Sequence, residues 1–154
     1  MTLRQTATVL TAGGLCGAAF LAADELPSKA PPKLPAPVVN THELMEIFNE
    51  PLYEHLKQDM ASQPADDEVW SHIKHQGIEA AEIANLIAIR KVSGVDQQEW
   101  ITHCRDAQQS GLDLAHAAAA KDWNKAQASY KDLITNCNDC HTASGIEAAP
   151  QLEP

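Results

Sequence analysis

The chain has 154 residues, one domain's worth of sequence and long enough for a single sizeable core. Its formal net charge of −10, from 11 basic and 21 acidic side chains, argues against nucleic acid and for basic or neutral partners. Aromatic residues make up only 5 %, and nothing after residue 40 alternates apolar and polar as a strand does, which excludes a sheet-built body.

Residues 1–23 read as a signal peptide. Arg4 gives a short basic start, a weakly apolar run follows, and Ala19, Ala22 and Ala23 offer small residues for cleavage. Gly13 and Gly14 make the run a poor membrane span, so the membrane enters only as an uncleaved N-terminal anchor. Cys16 follows Leu15, where a lipid-attachment site calls for a small residue. Residues 24–39 carry Pro27, Pro31, Pro32, Pro35 and Pro37 and read as an extended, semi-rigid linker.

The body, residues 40–143, shows apolar positions every three or four residues. Asn40 and Glu43 form a capping box for a first helix whose stripe is Leu44, Phe48, Leu52, Leu56 and Met60. Pro51 falls inside that stripe and is expected to kink the helix. Asp66 or Asp67 caps a second helix running to about Arg90, with Val69, Ile73, Ala80, Ile83, Leu86 and Ile87 inward and Gly77 interrupting. Asp96 to Glu99 is another capping box, opening a third helix through Trp100, Cys104, Ala107, Leu112, Ala115 and Ala118. The alanines at 117–120 point to close helix approach. Asp122 caps a fourth helix with Ala126, Tyr130, Leu133, Ile134, Cys137, Cys140 and His141 on one side. Residues 144–154 read as a flexible tail. Four helices with three short connections predict an all-α, antiparallel four-helix bundle.

The stretch Cys137-Asn138-Asp139-Cys140-His141 has the C-x-x-C-H spacing that attaches a c-type haem. On a helical turn the two thiols point the same way and the next residue brings an imidazole beneath the ring. The same residues can also be a disulfide, a redox dithiol or half a zinc site. Zinc would require a second Cys/His pair at similar spacing, and His72 with His75 is the nearest approach. An exported chain and covalent haem support each other, and the expected location is the periplasm.

A C-x-x-C-H at the end of the last of four amphipathic helices resembles the class II cytochromes c, the cytochromes c-prime and their low-spin, methionine-ligated relatives. The likeness covers roughly residues 40–143. It implies one covalent haem c held by Cys137 and Cys140, with His141 as the proximal iron ligand. It also implies a distal residue from the first half of helix one, where Met45 stands. The family's arginine one turn earlier is absent, its place being Thr41, which sets this chain apart from the cytochromes c-prime.

The distal ligand decides the function. A thioether from Met45 gives a low-spin iron suited to electron transfer. His42 is its main substitute, and an open iron would instead bind nitric oxide or carbon monoxide. Met60 lies about 22 Å further along the axis at 1.5 Å per residue. Arg90 and Arg105 are candidate partners of the haem propionates, and Cys104 reads as a small buried apolar side chain. Trp70, Trp100 and Trp123, each near a helix start, close the ends of the bundle. The remaining histidines read as solvated surface groups. The expectation is thus an exported electron carrier, not an enzyme, working with redox proteins as a monomer or homodimer. A disulfide-stapled helical interaction module is the third reading.

Overall fold

The computed structural model describes residues 36–145 and 149–154. The expected signal at 1–23, with Cys16 in it, and the linker up to residue 35 lie outside the described residues. Every regular element among the described residues is helical. α1 (Thr41–Leu44) runs through a π turn (Met45–Asn49) into α2 (Glu50–Asp59), so these three pieces form the first helix. α3 (Asp67–Ala88), α4 (Gln97–Ala119) and α5 (Trp123–Ser144) complete the body. No described helix is long and apolar enough to cross a membrane.

The helix starts follow from their caps. Asn40 Oδ1 accepts from the Glu43 amide while the Glu43 carboxylate accepts from the Asn40 amide, a reciprocal box. Asp66 accepts from the Val69 amide and Asp122 from the Lys125 amide. Asp96 accepts from both Gln98 and Glu99 amides. The carboxylate of Glu99 lies 3.9 Å from His103 Nε2. α5 ends at Gly145, whose φ of 64° is the left-handed conformation that glycine adopts freely.

Pro51 stands just beyond a π turn. It has no amide proton to give to Ile47 and its ring crowds that carbonyl. The helix responds upstream with the π turn, closed by the Glu50 amide donating to Met45 O. One extra residue in a turn shifts the register by about 100° at 3.6 residues per turn. Phe48, placed on the buried stripe by its spacing, is accordingly 45 % exposed, while Leu44, Leu52, Leu56 and Met60 are buried.

α3 and α4 approach most closely at Gly77 and Gly111. A Cβ on Gly77 would stand 2.6 Å from Gly111 O and 2.9 Å from the Ala115 amide nitrogen. One on Gly111 would stand 2.8 Å from Gly77 O. Glycine is required here because main chain meets main chain.

The buried side chains form two clusters. One gathers Leu56, Met60, Trp70, Ile73, Leu114, Tyr130, Leu133 and Ile134 with three alanines. The other gathers Leu44, Leu52, Ile83, Ile87, Trp100, Cys104 and Cys140. Trp70 and Trp123 meet edge to face at 6.2 Å in the first, and Trp100 Nε1 donates to Ile87 O in the second. Arg90 is buried and donates to the carbonyls of Val39 and Leu86, fastening the segment before α1 to the end of α3.

Candidate functional site

Between the two clusters lies a cavity of about 510 Å³, within the size range of small-molecule and cofactor sites. Its wall takes Leu56, Leu133 and Ile134 from one cluster, and Leu52, Ile87, Cys104 and Cys140 from the other. Cys137, Cys140 and His141 enter it from the last two turns of α5, Met45 and His42 from the first helix. All four residues singled out in the sequence as haem-holding, Met45, Cys137, Cys140 and His141, therefore line one space.

His141 is held from behind. Its Nδ1 lies 2.6 Å from the carbonyl oxygen of Pro150, which can only accept. In the neutral ring the proton therefore sits on Nδ1 and the Nε2 lone pair is left free to accept or to bind a metal. Pro150 reaches that position because residues 149–154, expected as flexible, return to α5 and α2. Asn138 donates to Leu152 O at 3.0 Å and accepts from the Leu152 amide at 2.8 Å, pairing with it as another backbone would. The Tyr53 hydroxyl donates to Glu153 O at 2.9 Å, and Lys57 Nζ lies 3.1 Å from that hydroxyl.

Met45 sits in the π turn, half-buried, and its Sδ accepts from Asn49 Nδ2 at 2.8 Å. His42 has a side chain 76 % exposed, with Nε2 directed to Glu46 at 3.4 Å. The thioether is the more inward of these two donors.

The Cys137 and Cys140 thiols both favour the protonated form. Burial pushes the Cys137 thiol up to about 11. Contact with the Cys104 thiol, and burial after it, drives Cys140 well above the ordinary range for a thiol. The same contact lowers the Cys104 thiol, so within this pair the proton rests on Cys140. Among the described residues no group of three or more His, Cys, Asp or Glu side chains is arranged to hold a metal ion. An imidazole, a thioether and two neutral thiols around an apolar cavity suit a planar cofactor that brings its own four equatorial nitrogens.

The rim carries Glu46, Glu50 and Glu54, and among the described residues no lysine or arginine lines the cavity. Arg90 donates to main-chain carbonyls and Arg105 is exposed, and neither lines the cavity. The tryptophans likewise stay out of the lining. Cys104 is buried as expected, and its contact with Cys140 follows from its place on the inward stripe of α4. Asn49 and Asn138 carry no such mark beyond their helical spacing from Met45 and His141.

No family model, curated protein or solved structure matches the chain.

Proposed function

We propose that this protein is an exported c-type cytochrome of the class II kind, an electron carrier with one haem. The observation that carries the reading is the convergence of Cys137, Cys140, His141 and Met45 on one largely apolar cavity of cofactor size. Cys137 and Cys140 would hold the haem as thioethers, with His141 and Met45 as its axial ligands. The bound haem supplies a one-electron iron couple. The chain supplies the rest. Pro150 O keeps the His141 proton on Nδ1 and raises the basicity of Nε2. The leucine, isoleucine and alanine walls would lower the polarity around the haem, which favours the less charged, reduced centre. The acidic rim of Glu46, Glu50 and Glu54 gives the mouth of the cavity a negative surface that suits a basic redox partner.

An up-down-up-down arrangement of the helices agrees with this reading. Support comes from pairs across α3 and α4: Asp67 at the start of α3 meets Lys121, two residues beyond the end of α4, and Trp100 at the start of α4 reaches Ile87 near the end of α3. The expected signal at 1–23 would deliver the chain to the periplasm, where haem is attached to thiols.

The test is an optical spectrum of the full chain from a haem-attaching host, oxidised and reduced, with and without carbon monoxide, beside Met45→Ala. Haem retained after acidic organic extraction, with a red charge-transfer band lost in the variant and little carbon monoxide uptake by the parent, supports the carrier. A high-spin spectrum that shifts with carbon monoxide and ignores the substitution makes the protein a gas binder. Protein without retained haem leaves the disulfide-stapled module.

A further inference from the structure

We infer that Asn49 is a positioning residue for the Met45 sulfur, setting both the orientation of the thioether and the reduction potential of the site. The inference rests on the reading of Met45 as an axial ligand. A thioether sulfur has two lone pairs, and Asn49 Nδ2, 2.8 Å away, donates to the sulfur. With one pair so engaged, the other is left for the iron, and the position of the Asn49 amide decides which side of the sulfur that is.

The arrangement traces to the sequence. Pro51 withholds an amide proton and the π turn over Met45–Asn49 accommodates the loss. In this wider turn residues four apart stand more nearly in line along the axis than in an α-helix. Asn49 is thereby stacked over Met45, and its amide meets the sulfur rather than solvent. π turns inside α-helices are frequently found at functional sites, and here the turn begins on the ligand residue itself.

The electronic consequence has a definite sign. A donor on the sulfur withdraws electron density and weakens its donation to the metal. Sulfur donation stabilises the oxidised centre more than the reduced one, so the Asn49 bond raises the potential.

The test compares the full haem-loaded chain with Asn49→Leu, Asn49→Gln and Met45→Ala by redox titration, red-band absorption and the paramagnetically shifted methionine methyl resonance. Asn49→Leu is isosteric and lacks the donor. It is expected to keep the red band, lower the potential and move the methyl resonance. Asn49→Gln keeps an amide on a longer arm and is expected to return the potential part of the way. If the parent has the band, Met45→Ala loses it, and Asn49→Leu leaves potential and methyl resonance unchanged, the Asn49 inference is overturned while Met45 ligation stands. A parent spectrum without the band overturns both. Circular dichroism of each variant separates a folded but altered site from loss of fold.

Discussion

Tyr130 buries its hydroxyl without a hydrogen-bond partner among the described residues, and burial pushes its pKa up to about 12. Two expectations follow from one side chain. Tyr130→Phe should gain stability at neutral pH, by about 1 kcal/mol, because an unsatisfied buried hydroxyl is removed while the ring is kept. The folded chain also holds the phenolic proton more tightly than the unfolded chain, whose tyrosine titrates near 10. Stability from this group is complete below about pH 10 and falls as pH rises from there towards 12. Chemical unfolding at pH 8 and pH 11 should therefore show a loss in the parent that is smaller in Tyr130→Phe. Asn138 is the opposite case, a polar side chain with two bonds to Leu152. Asn138→Ala should cost about 1–3 kcal/mol and free the tail, since the Leu152 amide and carbonyl lose their partner. A limited protease digestion that cuts after α5 in the variant but not in the parent would show it. An equal digestion of both would sink the expectation.

The α3 to α4 seam sets the spacing of the whole body through two glycines. Gly77→Ala gains about 0.8–1.0 kcal/mol of helix propensity but forces a methyl against Gly111 O, and overpacking of this kind costs about 1–3 kcal/mol. Because the obstacle is main chain, the variant should be less stable in a denaturant titration despite the better helix former. Pro51→Ala is expected to do the reverse. Restoring the amide proton should raise stability by up to ~3 kcal/mol, the cost of proline in a helix interior, and abolish the π turn. Amide resonances of residues 45–49 with α-helical bonding, together with an altered red band, would show stability gained at the expense of the site. The caps at Asn40, Asp66 and Asp122 could be read in the sequence because a cap is a local event, complete within four residues. The shared side of Cys137, Cys140 and His141 was legible for a similar reason: fixed spacing on one regular helix brings them together. Met45 had no such signal, and only the family likeness pointed to it. Phe48 was misplaced because periodicity assumes an unbroken register, and Pro51 alone does not say whether a helix kinks or widens. The return of residues 149–154 had no signal at all. Pro150 and Leu152 carry no periodicity, and their partners Asn138 and His141 already had roles within α5. Arg90 was a candidate partner for a cofactor carboxylate on its charge alone, and its bonds to the carbonyls of Val39 and Leu86 had no sequence signal.

At the scale of the molecule, the apolar interior is divided. Leu56, Leu133 and Ile134 belong to one half, Leu52, Ile87 and Cys104 to the other, and the cavity stands between them with Ala80 touching both. An occupant of that space would be in contact with both halves at once and would act as the shared centre of the core. Cooperativity of unfolding then depends on the occupant as much as on the chain. Loaded, the body should melt as one unit. Without it, the cluster around Trp70 and Tyr130 and the cluster around Trp100 and Leu44 become separable units of different stability. Hydrogen exchange on the loaded and haem-free chain would resolve this as one common opening free energy in the first case and two distinct values in the second. The cavity would then also be the joint at which this small protein comes apart, and an occupant would tie its two buried clusters into one cooperative unit.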